Sequence, residues 1–213
     1  MSLKLYFLRH GQTPFSRDNA FCGSGLDPDM TEDGYAMAQN FADAYNKTKW
    51  TSVYCSPLLR TRMTAKPLCD SIGLSPEIRD DLKEISYGKW EGQSVETVSR
   101  EYHDDYIKWT ADPAFNPPTD GEMAIAIHQR SLRVIEEIRG KVDSGNVLIV
   151  SHKATIRIML CGLLGIDVGR FRFRIACPVS SVSVVEFSPQ GPLLKALGDR
   201  THLDERLRNL QGT

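Results

Sequence analysis

The sequence predicts an α/β protein, a three-layer α/β/α sandwich around a mostly parallel central sheet with an antiparallel edge strand. Three observations predict it. Leu3–Gly11, whose apolar run stops at Arg9, and the short apolar runs Trp50–Cys55 and Asn146–Val150 are of the kind found in buried strands. Helical patterns follow each of them, and strands alternating with helices call for a sheet covered on both faces. Ser188-Pro189-Gln190-Gly191 then separates Val182–Phe187 from Leu193–Leu197, which reads as an edge hairpin.

The first apolar run stops at Arg9-His10-Gly11. In open α/β sheets, ligands bind at the carboxyl ends of parallel strands. A cation and an imidazole at that place predict an anion site centred on His10. Gln12–Pro28 is rich in Gly, Ser, Pro and Asp and reads as a long loop, the kind that is usually functional. Thr31 caps a helix with Glu32 and Asp33 in its first turn and Met37, Phe41, Ala44 and Tyr45 on its apolar stripe. After the second strand, Ser56 at N-cap and Pro57 at N1 predict a helix start. Arg60 then falls where unpaired N–H groups already favour an anion.

Asp80–Gly92 reads as a loop, Val95–Trp109 as a helix and Ala111–Gly121 as a proline-rich loop. Glu122–Val142 reads as a helix with Ile127, Ile135, Ile138 and Val142 inward. The third strand ends in Ser151-His152 and leads into a helix through Leu164. The charged tail, 199–213, docks on the body or frays. Parallel strands would gather Arg9, His10, Ser56, Arg60, Ser151 and His152 on one edge.

Composition narrows the function class. A chain of 213 residues, 41% hydrophobic, buries a sizeable core as a single domain over residues 1–213. A net charge of −1 gives no electrostatic case for nucleic-acid or acidic-membrane partners. No stretch approaches the ~20 apolar residues of a membrane span. The five cysteines are scattered without a CxxC pair, which fits reduced thiols rather than disulfides or a zinc site. A cytoplasmic protein is expected.

Four blocks then carry a resemblance. They are Arg9-His10-Gly11-Gln12-Thr13 with FCGSGLD near residue 25; Ser56-Pro57-Leu58-Leu59-Arg60-Thr61; Leu82-Lys83-Glu84-Ile85 with Gly88-Lys89-Trp90-Glu91-Gly92; and Val150-Ser151-His152. In order and spacing they resemble the histidine phosphatase superfamily, also called phosphoglycerate mutase-like. The resemblance implies that His10 is the nucleophile and becomes a phosphohistidine. It implies that Arg9, Arg60 and His152 hold the phosphoryl group, that Glu84 is the proton donor, and that neither metal nor cofactor is needed. Ser16, where many relatives have Asn, and Gly23 are further candidates for phosphate binding. Gln12, Cys22, Tyr87, Lys153 and His202 are candidates for substrate specificity; Lys153, Arg170, Arg172 and Arg174 are either solvated cations or, some of them, recognisers of a substrate carboxylate.

The chemistry agrees. A phosphomonoester carries about −1.5 to −2 charge near neutral pH. Its transfer is mostly a matter of positioning and electrostatics. Arginine's planar fork matches phosphoryl oxygens bidentately. Adjacent cations disfavour imidazolium and keep His10 ready to attack. An alkoxide leaving group needs a proton, for which Glu84 is the first candidate and Asp81, Glu91 and Glu122 are alternatives.

The expected activity is hydrolysis of a small, carboxylate-bearing phosphomonoester, with phosphoserine first. Thr201-His202-Leu203 looks similar to metal-independent phosphoserine phosphatases of the superfamily, although a histidine stands there where this chain has Tyr87. A cofactor-dependent phosphoglycerate mutase and a catalytically inactive phosphate-binding module are the alternatives. Mutases resemble longer chains, and the segment between Gly92 and Gly121 is short for their lid. A homodimer through the edge hairpin or the tail is left open.

Overall fold

The structure, a computed structural model, describes residues 2–210. Strand β1, Leu3–Arg9, leads through a four-residue helix α1, Pro14–Arg17, to α2, Glu32–Tyr45. Strand β2, Trp50–Cys55, is followed by α3, Leu59–Ile72, and a two-residue strand β3, Glu77–Ile78. Helices α4, Val95–Glu101, α5, His103–Ala111, and α6, Ala124–Lys141, precede β4, Gly145–Ser151. Helices α7, Lys153–Leu164, and α8, Phe171–Arg174, lead to the hairpin β5, Val182–Ser188, and β6, Gly191–Asp199. A short helix α9, Glu205–Arg208, closes the described chain.

The sheet order is β3-β2-β4-β1-β5-β6. The first four strands are parallel and the last two antiparallel. Alternation along the strands splits the core. Leu5, Phe7, Val147 and Ile149 pack with α6 and α7 on one face. Leu8, Val53, Cys55, Leu148 and Val150 pack with α2 and α3 on the other. Register positions the site: Arg9 of β1 lies opposite Ser151 of β4, and Cys55 of β2 lies opposite Val150. The residues that step off these three neighbouring strands are His10, His152 and Ser56.

Several elements differ from expectation. The loop after His10 contains α1, because Thr13 and Ser16 close a reciprocal capping box at Pro14. Helix α2 buries Met37, Ala38, Phe41 and Ala42 but leaves Ala44 in solvent. Helix α3 begins after Leu58, not at Ser56, and the carboxylate of Asp27 caps it by accepting from Leu59 N–H at 2.8 and 3.0 Å. The anion at this helix start is thus the chain's own. Residues 95–109 form two helices broken at Tyr102. The tail docks: Leu203 and Leu207 are buried against Met37 and Val179. The last part of that expectation, 211–213, lies outside the described residues. Among the described residues no helix is long and apolar enough to cross a membrane.

Candidate active site

Glycine shapes the entry to the site. A Cβ on Gly11 would meet the Gly34 carbonyl at 2.5 Å and Met30 Sδ at 2.9 Å, so the turn after His10 lies directly on the first turn of α2. Gly11 N–H also donates to Thr64 Oγ1 of α3 at 3.0 Å. These contacts hold His10 at the end of β1. Its Nδ1 is 2.8 Å from the Gly11 carbonyl. A carbonyl can only accept, so Nδ1 carries the proton and Nε2 keeps the lone pair. Burial first, then Arg60 and Arg9, hold its pKa well below the usual histidine value, against the opposing pull of the Gly11 hydrogen bond. His10 is therefore neutral at pH 7.

Two buried guanidinium groups flank it. Arg9 Nη1 donates to the Cys177 carbonyl at 2.8 Å, and burial pulls the Arg9 pKa down to about 10. Arg60, 1% exposed, donates to the Leu26 carbonyl at 2.9 Å and the Gly23 carbonyl at 3.0 Å, with Asp27 Oδ1 at 3.7 Å. The loop 23–27 thus aims Arg60 from above. His152 stands at the N-cap of α7, its ring centroid 5.3 Å from that of His10. Ser56 Oγ lies 2.8 Å from His152 Nε2. Burial, Arg60 and His10 hold the His152 pKa well below normal. Arg9 and Arg60 carry the positive charge of this cluster, the two imidazoles being neutral, and His152 lies behind His10 without lining the cavity.

Glu84, 4% exposed, is the carboxylate on the cavity wall. Its Oε1 accepts from Ile85 N–H and Thr155 N–H at 3.0 and 3.1 Å, and its Oε2 from Ala154 N–H at 3.1 Å; Thr155 Oγ1 donates to the Lys83 carbonyl at 2.7 Å and lies 3.1 Å from Oε1. Two of these donors are orphan amides of the first turn of α7. The other carboxylates named from the sequence are engaged elsewhere. Asp81 pairs with Arg133, Glu122 with Arg130, and Glu91 accepts from Gly23 and Gly25 N–H.

The remaining predicted residues divide. Ser16, Cys22, Tyr87 and Lys153 line the cavity with Arg9, His10, Arg60 and Glu84. Burial raises Tyr87 above the ordinary phenol range and Cys22 to about 11, so both stay protonated. Gly23, Gln12 and His202 do not line it. Gly23 N–H is spent on Glu91, and its carbonyl orients Arg60, so it is a support for the arginine rather than a wall of the cavity. Gln12 accepts from Thr31 Oγ1 at the cap of α2. His202 packs edge-on against Phe41 and Tyr45, under the docked tail. A histidine followed by Leu203 belongs to the tail's apolar anchor, which is why it is drawn away from the cavity.

Sequence reasoning missed Arg157, Thr13 and the aromatic wall of Phe21, Trp109 and Phe171. Arg157 had a signal: it lies four residues after Lys153, on the same face of α7. The aromatic wall had none, since Phe21, Trp90 and Trp109 meet only in space.

The fold brings a neutral imidazole, two buried arginines, a second histidine and a buried carboxylate together at the ends of parallel strands. The chain matches the histidine phosphatase superfamily, branch 1, over residues 5–200, and it belongs to that family. It is 30% identical over 203 residues to phosphoserine phosphatase 1 of Hydrogenobacter thermophilus, covering 95% of each chain. It is 28% identical over 174 residues to the adenosylcobalamin/alpha-ribazole phosphatase of Escherichia coli, covering 81% of this chain and 85% of that one. The alpha-ribazole phosphatase from Shigella flexneri superposes with a TM-score of 0.84 at 26% identity, covering 95% of this chain and 99% of that one. A mycobacterial glucosyl-3-phosphoglycerate phosphatase shares the fold, with a TM-score of 0.84 at 22% identity, covering 94% and 100%.

Proposed function

We propose that this protein hydrolyses small, carboxylate-bearing phosphomonoesters, phosphoserine first, through a phosphohistidine on His10. The observation that carries the reading is the single hydrogen bond from His10 Nδ1 to Gly11 O, which leaves Nε2 as a lone-pair nucleophile between two buried arginines. Full-length similarity to a phosphoserine phosphatase supports the choice of first substrate.

In the first step His10 Nε2 attacks phosphorus and the ester P–O bond breaks, its electron pair leaving on the alkoxide. Arg9 and Arg60 meet the charge on the equatorial oxygens, the work a metal ion does in other phosphoryl-transfer sites. His152, held by Ser56, adds a third donor. The alkoxide takes a proton from Glu84. Two amide N–H groups bind Glu84 Oε1 and one binds Oε2, so Oε2 has room for that proton. In the second step water attacks phosphohistidine, Glu84 accepts the water's proton, the P–N bond breaks and free His10 returns with inorganic phosphate.

The test is hydrolysis of phosphoserine and p-nitrophenyl phosphate, with and without chelator. Turnover should survive chelator and fall by at least about 10³-fold in His10→Ala, as for other lost nucleophiles. Full activity in His10→Ala sinks the reading.

A further inference from the structure

Lys153, Arg157 and Arg172 line the cavity beside the phosphoryl cluster, and no part of the proposed hydrolysis uses them. Arg157 lies within electrostatic reach of Arg9, Lys153 and Arg172. Cations on neighbouring segments are paired: Arg130 of α6 with Glu122, and Arg170, just before α8, with Asp167. Lys153, Arg157 and Arg172 have no ion pair among the described residues. Arg157 Nε and Arg172 Nη1 are buried without a hydrogen-bond partner. Arg172 is fixed in place, its guanidinium 3.7 Å from the Trp109 ring centroid.

The clustered cations repel one another; Glu84 is within electrostatic reach of Lys153, and no carboxylate forms an ion pair with Arg157 or Arg172 among the described residues. The phosphoryl group does not account for them, since its charge of about −2 is met by Arg9 and Arg60. The cavity's one carboxylate, Glu84, is committed to the amides of α7 and to Thr155.

We propose that Lys153, Arg157 and Arg172 form a second-anion subsite, which selects phosphomonoesters whose leaving group bears a carboxylate or a second phosphate. The proposal rests on the phosphatase reading and refines it. The subsite recognises the carboxylate of a substrate such as phosphoserine. Half-burial of Lys153, beside Arg9 and Arg157, lowers its pKa to about 7, so a bound anion also holds its proton in place.

The test measures kcat/KM with matched pairs: phosphoserine against phosphoethanolamine, 3-phosphoglycerate against glycerol 3-phosphate, and fructose 1,6-bisphosphate against fructose 6-phosphate. The first two pairs report a carboxylate and the third a phosphate. The full chain should prefer the anionic member of at least one kind by about tenfold or more, the scale set by leaving a buried polar site unpaired. Arg157→Gln and Arg172→Gln, shown folded by thermal melts, should each cut that preference severalfold through KM, and Arg157→Lys should restore part of it. No preference in any pair overturns the subsite, as does a preference that survives in both variants. A full chain that turns over neither these esters nor p-nitrophenyl phosphate instead sinks the phosphatase reading.

Discussion

At the scale of single residues, the site works by denying solvent to charges. Arg60 keeps its guanidinium buried because two carbonyls and Asp27 receive it. His10 stays neutral because burial and two arginines oppose imidazolium. Glu84 presents the sharpest test at this scale. In the proposed role of proton donor it would matter most when the leaving group is a poor one. Glu84→Gln should therefore slow phosphoserine hydrolysis by about 10²–10⁴-fold. The loss on p-nitrophenyl phosphate should be much smaller, because p-nitrophenolate leaves without a proton. Equal losses on both substrates would make Glu84 a structural prop for α7.

At the scale of elements, the site depends on where strand ends meet helix starts. The turn Gly11–Gln12 lies on Gly34 of α2 so closely that a Cβ on Gly34 would strike the backbone of Gln12. Gly34→Ala must push the two apart and shift His10 with them. The expected result is a loss of about 1–3 kcal/mol in stability, the cost of overpacking. A fall in kcat should accompany it, although residue 34 does not line the cavity. Unchanged melting and unchanged turnover would show that this contact does not position His10. The start of α7 is a second junction of this kind, where Ala154 and Thr155 amides meet a carboxylate from a loop about seventy residues earlier. The helix pattern of residues 153–164 was legible in the sequence; its capping by Glu84 was not, because the donor and acceptor share no local signal.

At the scale of the whole molecule, buried neutral histidines tie stability to pH. His10 and His152 have folded pKa values well below 6.5, and burial under the tail takes His202 to about 4. The unfolded chain binds their protons near pH 6.5 and the folded chain does not. Stability must then fall as pH drops from 7 through 5. Thermal melts at constant ionic strength should show a melting temperature that declines steadily across that window. A flat or rising profile would mean that these histidines are protonated in the folded state.

The sequence by itself determined the parallel sheet, the hairpin at its edge and the approximate places of His10, Arg60 and His152. Each of these follows from local pattern: an apolar run, a turn, a polar residue where the run stops. Only the tertiary structure decided among the carboxylates, turned Gly23 from the cavity to the support of Arg60, sent His202 to the tail and brought Arg157 and Arg172 together. Those choices depend on which distant segments approach within hydrogen-bond and Coulomb range, and residue spacing along a chain carries no record of that approach.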